Sequence, residues 1–292
     1  MISLSARRLL AAFALLGFAG TSLAAQPLKL DVYNPGEDAI FPVSSVLVTG
    51  EKDAVLVDAQ FSSAQADQIV EKIRKSGKNL TTIYISHGDP DFYFGLQTIT
   101  TAYPKAKVVA SAQTVAHINE TKDAKLAYWG PKLGAGAPGK VIVPDVLQGN
   151  ELTLEGQKLQ VVGLDGPQPD RSFVWIPSIK AVMGGVVLSN NIHVWMADTQ
   201  SAKSHQDWLG TLTTIEKLKP ATIVPGHFLP GELTALQSPN FTAGYIKNFD
   251  AETAKAKDSA ALIAAMKAHY PNLADESSLV LSAKVAKGEM KW

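Results

Sequence analysis

The sequence predicts an α/β fold in which two mixed sheets pack face to face with helices on both outer surfaces, an αββα four-layer sandwich. Three observations carry that expectation. Strand-like runs come in two clusters, near 28–58 and near 151–185. Each cluster leads into helix-and-strand units, and a sheet with an apolar face must bury it against another layer. The chain has 292 residues, 46% hydrophobic and 18% charged, an ordinary balance for a folded globular protein with a sizeable core.

The elements follow in order. LKLDVYN (28–34) and SSVLVTG (44–50) read as strands, EKD as a turn, and AVLVD (54–58) as a third strand, spaced as an antiparallel hairpin. Ala66, Ile69, Val70 and Ile73 fall at helical spacing within 62–76, with Ser62 or Ser63 to start the helix and Gly77 to end it. TTIYIS (81–86) is a buried strand, 93–103 a helix, AKVVAS (106–111) a strand and 112–128 another helix, followed by a Gly-, Pro- and Lys-rich loop over 130–140. ELTLEGQKLQVVGLD, SFVWIP and KAVMGG supply three or four strands with turns between them. Helix 203–218 carries Trp208, Leu209, Leu212 and Ile215 on one face, and ATIVPG (221–226) is a strand ending at His227. The stretch 233–268 is Ala- and Lys-rich and helical. No fixed-period repeat, low-complexity tract or linker divides the chain, so 25–292 is expected to be a single domain with a helical C-terminal tail.

Composition narrows the function classes. Basic and acidic residues number 27 each, so no strong field draws the chain to nucleic acid or anionic lipid. There is no cysteine, which excludes disulfides, thiolate metal sites and cysteine nucleophiles together. At the N-terminus Arg7 and Arg8 precede an apolar run from Leu9 to about Ala19, and Ser22 and Ala24 stand at −3 and −1 of a cut before Ala25. That is the plan of a secretory signal peptide over 1–24, and the run falls short of the roughly 20 apolar residues a membrane span needs. The expected location is the periplasm or the exterior of a bacterial cell, with no stable membrane insertion after cleavage.

The stretch ISHGDPDFYFG (85–95) poses the chemical question. His87, Asp89 and Asp91 fall on alternate positions just after a strand. A tight loop there turns alternate side chains toward one point, where imidazole and carboxylate can close on a cation such as Zn²⁺ at about 2.0–2.2 Å. The plainer reading is a polar loop whose aspartates bind their own backbone.

Four landmarks in order give the chain a resemblance to the metallo-β-lactamase superfamily. AVLVDA (54–59) looks like the strand that ends in a buried aspartate, here Asp58. ISHGDPDFYFG looks like the motif His-x-His-x-Asp-His followed closely by glycine. DGPQPDRSFVWIP and AVMGG look like the later strand pair that carries two further ligands, and TIVPGHF (222–228) looks like the last strand with its terminal histidine. The likeness covers about 28–230. It implies an αββα sandwich of the metallo-β-lactamase type, and a chemistry in which two metals share a water or hydroxide that attacks a polarised carbonyl or phosphorus centre.

The match is partial residue by residue. His87 stands at the first histidine, Asp89 at the second, Asp91 at the aspartate and Phe92 at the third histidine. Gln168 falls where a downstream histidine is expected, Gly185 at the bridging aspartate, and His227 at the final histidine. The resemblance thus implies one divalent ion, Zn²⁺ with Mn or Fe as alternatives, held by a subset of His87, Asp89, Asp91, His227 and Gln168. Asp91 would orient the metal-bound water or act as base. The expected function is an exported hydrolase of a small ester, lactone or amide-like substrate. The alternative is a non-catalytic secreted binding protein on a scaffold whose metal site has decayed.

The remaining candidates have two readings each. His193 is either a catalytic acid or base, or a replacement ligand, or a histidine packed beside Trp195. Asp198 orients a neighbour or caps the helix that begins near 202. Tyr128 and Trp129 line a pocket or belong to the core. Phe92, Tyr93 and Phe94 form an apolar wall or plug a disused site. His117, His205 and His269 read as surface or packing residues, and Asp58 as a residue that holds the motif loop through backbone N–H bonds.

Overall fold

Residues 53–57, DAVLV, send alternate side chains to opposite faces of one strand, and that alternation organises the molecule. In the computed structural model, which describes residues 26–292, Ala54 and Leu56 join one buried cluster while Val55 and Val57 join another. The leader expected over 1–24 lies outside the described residues.

The first sheet runs in the order β1 (Lys29–Tyr33), β2 (Ser45–Thr49), β3 (Asp53–Val57), β4 (Asn79–Ile85), β5 (Lys107–Ala110), β6 (Asp145–Val146). β1 to β3 form the antiparallel meander expected from the sequence, and β3 to β6 continue in parallel. The parallel links are made by α1 (Ser63–Ser76), by α2 (Pro90–Tyr93) with α3 (Leu96–Ala102), and by α4 (Ala112–Leu133). The second sheet contains β7 (Glu151–Leu154), β8 (Gln157–Val162), β9 (Phe173–Ile176) and β10 (Ala181–Met183), with the later strand β12 (Thr222–Val224) parallel to β10 at its edge. β11 (Ser189–Asn190) pairs in parallel with β13 (His227–Phe228), which places His227 beside Ser189. Helices α5 (Ala202–Lys217), α6 (Ser238–Lys255), α7 (Ser259–His269) and α8 (Glu276–Ala286) complete the chain.

Three buried clusters define the three interfaces of a four-layer sandwich. Leu56, Ile83 and Ile85 meet Ile69 and Ile73 of α1, Ile99 of α3 and Ile118 of α4. Val55, Val57 and Tyr84 of the first sheet meet Leu159, Val161, Val174 and Met183 of the second. Phe173, Trp175 and Val182 on the second sheet's other face meet Trp208 of α5, Tyr245 of α6, Met266 of α7 and Leu279 of α8. Period-2 alternation thus feeds one apolar set inward and one outward from each sheet, so burial on both faces fixes register. The expected αββα architecture is the observed one.

The element boundaries differ where tertiary contacts intervene. Ser62 caps α1 in a capping box with Gln65, and Gly77 ends it at φ 65°, as the sequence indicates. The helix expected over 93–103 is two helices broken at Gly95. There the backbone N–H donates to the Gln60 carbonyl at 2.9 Å, and an added Cβ would run into the Ala59 carbonyl oxygen. The helix expected to stop at 128 continues to Leu133, with Pro131 accommodated in its last turns. The helical tail extends past 268 through α8. Among the described residues no helix is long and apolar enough to cross a membrane.

Candidate functional site: a pocket around a degenerate metal motif

The motif loop is held from beneath by Asp58. This residue follows β3 in a left-handed conformation (φ 67°), a strained setting for a side chain that is not glycine. Its carboxylate accepts from the Ser86 backbone N–H at 2.8 Å and the Ser86 hydroxyl at 2.6 Å. The Ser86 oxygen in turn accepts from the Gly185 N–H at 2.7 Å. One buried acid therefore ties together the ends of β3, β4 and β10, and the expected loop-holding role is met. Burial pushes the Asp58 carboxyl up to about 7, against the pull of its two Ser86 donors.

From that base the loop residues separate into two pairs. His87 Nδ1 lies 3.3 Å from both the backbone nitrogen and Oδ2 of Asp89. Asp89 also takes a short ion pair from Lys125 on α4, whose ammonium stands 3.2 Å from His117 Nε2. Burial opposes ionisation of Asp89, yet the positive fields of His87 and Lys125 hold its carboxyl well below the usual range. In the other pair, His227 Nε2 lies 2.7 Å from Asp91 Oδ2. Burial works against protonation of His227, and the Asp91 carboxylate more than offsets it, leaving the imidazole pKa above its ordinary value.

Phe92 packs against the imidazoles of both pairs. Its fully buried ring makes edge contacts with His87 at 5.4 Å and with His227 at 5.3 Å, centroid to centroid. The apolar stretch read as wall or plug therefore puts its first ring against both histidines. Gly185 adds a second departure. Its φ is 73°, and a Cβ built there would run into the Ser172 carbonyl oxygen. The backbone at the bridging-aspartate position thus has no room for any side chain.

These residues do not fit a metal centre of the family's kind. Lys125 already supplies the cation bound by Asp89, and at the third-histidine position stands the Phe92 ring, which cannot ligate and packs against both imidazoles. Among the described residues, no three His, Asp or Glu side chains converge on a common point. Gln168, the fifth expected ligand, lines the same pocket with its Oε1 buried and unpartnered, away from both pairs' hydrogen bonds. The expected set His87, Asp89, Asp91, Gln168 and His227 is gathered around one cavity without closing on one ion.

That cavity has a volume of about 580 Å³, within the usual range for small-molecule sites. Asp89, His117, Lys125, Asp91 and His227 all line it. Tyr128 and Trp129 line it too, and Trp129 also packs against the core beneath the first sheet's helices. His193 is at the lining but only 2% exposed, and its Nδ1 lies 3.0 Å from the Tyr245 hydroxyl. Its packing partner is thus Tyr245 rather than Trp195, and burial depresses its pKa to about 4. Asp198 does not cap α5, a role taken by Ser201; it accepts from the indoles of Trp195 at 2.7 Å and Trp292 at 2.6 Å.

Lys125, Arg171 and Trp292 escape the sequence reading, and His117, read there as surface or packing, lines the site. Lys125 and His117 are eight residues apart, two turns along one helix face, and Thr114, Thr121 and Tyr128 follow the same stripe. That polar stripe was visible in the sequence as spacing. Arg171 and Trp292 had no such signal. His205, read as surface or packing, is buried packing: its Nδ1 meets Asp250 at 2.6 Å and its Nε2 the Thr199 carbonyl at 2.5 Å. His269 is exposed beside Glu252.

With this geometry the comparisons with known proteins agree on class. The sequence profile of the metallo-beta-lactamase superfamily matches residues 39–227, and the chain belongs to that superfamily. The fold is that of a metallo-beta-lactamase from Pontibacter korlensis, with TM-score 0.54 and 16% identity over 77% of this chain and 96% of that one. It is likewise that of DIM-1 metallo-beta-lactamase, with TM-score 0.53 and 18% identity over 76% of this chain and 98% of that one. FIM-1 from Pseudomonas aeruginosa, solved in a mono-zinc form, aligns with TM-score 0.53 and 15% identity over 76% of this chain and 96% of that one. In sequence, the uncharacterized protein YobT of Bacillus subtilis (strain 168) is 33% identical over 73 residues, 25% of this chain. The chain spans 31% of the length of that relative. At such identities the structural likeness establishes the hydrolase-like scaffold, and the chemistry must be argued from this chain's own residues.

Proposed function

We propose that this protein binds a small molecule in the pocket of a metallo-β-lactamase scaffold, with the Lys125 ammonium standing in for the cation. The carrying observation is the Lys125–Asp89 ion pair. A carboxylate engaged by an ammonium keeps its charge satisfied, and a divalent ion would have to displace that ammonium. The Phe92 ring packed against both His87 and His227, where the motif has a third ligating histidine, supports the same reading. The proposal includes export: residues 1–24 read as a cleavable leader, and the near balance of charge argues against nucleic acid as ligand.

Metal analysis of the purified protein tests this directly. After incubation with Zn²⁺, Mn²⁺ or Fe²⁺ and desalting, the protein is expected to retain far less than one ion per chain. Retention of about one ion, abolished in a His87→Ala and His227→Ala double variant, would return the reading to a mononuclear hydrolase.

A second reading keeps hydrolysis without a metal. It is favoured by the Asp91–His227 pair, a carboxylate-oriented imidazole at the cavity wall with a raised pKa. His227 would then take a proton from a water attacking an ester, lactone or amide-like carbonyl. A panel of chromogenic esters, lactones and cephalosporins decides it, through turnover lost in His227→Gln.

A further inference from the structure

Arg171 is a buried cation that lines the pocket without an ionic partner. It is 5% exposed, and among the described residues its guanidinium makes no salt bridge and no hydrogen bond. Its Nε is fully enclosed and unpartnered. One face of the group lies over the Trp208 ring at 4.1 Å, a cation–π contact that holds the guanidinium in place but leaves its N–H fork unused. A buried charge in that condition is costly unless something completes it.

Two of the three acids whose fields reach Arg171 are otherwise engaged. Asp198 spends both carboxylate oxygens on the indoles of Trp195 and Trp292, and Asp89 is bound to Lys125. These two and Asp170, which also lines the pocket, bias the field around Arg171 without pairing with it. The turn before Arg171, closed by its own N–H donating to the Gln168 carbonyl at 3.0 Å, brings a second unused polar group to the cavity, the Gln168 side-chain amide. That amide can present its NH₂ by a half-turn of its terminal group.

Five aromatic rings also line the pocket. Phe41, Trp129, Tyr128, Trp292 and Trp195 form a closed circuit of edge contacts, at centroid distances of 5.3, 4.9, 6.5, 5.1 and 6.0 Å round the circuit back to Phe41. Such rings offer broad apolar faces to a flat body.

We infer that the pocket takes a small organic carboxylate with a flat apolar body, the carboxylate anchored by the Arg171 fork and Gln168 and the body held by the aromatic circuit. The inference rests on the binding reading above and names its ligand class. A carboxylate fits better than a phosphate. Its planar oxygens match the fork in pairs, and its single charge equals that of the Arg171 guanidinium. A dianion would carry surplus charge among Asp89, Asp170 and Asp198. A cationic guest, which an aromatic enclosure can also attract, would meet Arg171 head-on.

Isosteric probes test the inference with the protein as it stands: 2-naphthoate, neutral 2-naphthamide and cationic 2-naphthylmethylammonium, each titrated by calorimetry. Naphthoate is expected to bind about tenfold or more tighter than naphthamide, with the ammonium weakest. Arg171→Met should erase the naphthoate preference while leaving naphthamide within about twofold, and Arg171→Lys should keep part of it. Because Met relieves an unpaired buried charge, the Met variant should also melt at the same or a higher temperature than the parent when no ligand is present, whereas a purely structural arginine would lower it. Equal binding of the three probes to the parent protein overturns the anion inference and leaves the pocket reading standing. Failure of every probe to bind also overturns it, and the metal analysis then judges the wider reading on its own.

Discussion

Lys125 reaches from the middle of α4 to the Asp89 carboxylate, so a side-chain ammonium lies where the superfamily's motif directs a metal. The two groups come from elements 36 residues apart, and the pair exists only because α4 packs over the motif loop. His117 and the Gly88 carbonyl complete the ammonium's surroundings.

The first prediction concerns that pair. Lys125→Met leaves Asp89 largely buried beside one imidazole, and is expected to cost about 1–3 kcal/mol in urea unfolding at neutral pH. Adding Asp89→Leu should recover part of the loss, because the stranded charge leaves with it. Additive losses in the double-mutant cycle would show that the pair is not coupled.

Restoring the family's residue at position 185 should do harm rather than good. Gly185→Asp and Gly185→Ala are both expected to lower stability by about 3 kcal/mol or more, since the conflict with the Ser172 carbonyl and the φ of 73° both arise at Cβ. Thermal melting of the two variants checks this. An aspartate variant as stable as the parent sinks the argument that the backbone has closed that ligand position.

His193 sets a pH dependence of defined sign. Its folded pKa of about 4 lies below the ordinary 6.5, so its stabilising contribution is fully present above pH 6.5 and is lost as pH falls toward 4. The full swing is roughly 3 kcal/mol. His193→Gln, which keeps a polar group for Tyr245 but does not titrate, should narrow its stability gap to the parent over that window. A gap that stays constant between neutrality and pH 4 contradicts the assignment.

The Asp58 network gives a fourth test. Ser86→Ala removes one donor to a buried carboxylate and the acceptor of the Gly185 N–H together, with an expected loss of about 2 kcal/mol. Hydrogen exchange at Gly185 should accelerate in the variant. Unchanged protection there would mean that the Ser86 bridge does not hold the β10 end.

Much of this was legible before any coordinates. Alternation in DAVLV, TTIYI and FVWI announces strands buried on both faces, and the Ser62 and Gly77 punctuation marks one helix to within a residue. The order of Asp58, the ISHGDPDF motif and His227 identifies the superfamily. The break at Gly95 was hidden, because it depends on a carbonyl of a chain segment 36 residues earlier. The His117–Lys125 stripe was present as helical spacing but carried no meaning until its face was known to cover the motif loop. Asp198 looked like a helix cap because the sequence cannot show that two indoles claim it first.

The sequence by itself determined the layers, since apolar periodicity and turn residues act over a few positions and need no distant partner. It also determined which metal-motif side chains are present and which are gone. Only the tertiary structure decided what the survivors do. Whether an imidazole meets an ion, an aspartate or the edge of Phe92 depends on directions set by α4, β13 and the turn before β9. Short-range electrostatics and packing change sign over a few ångströms, a scale that spacing along the chain does not encode.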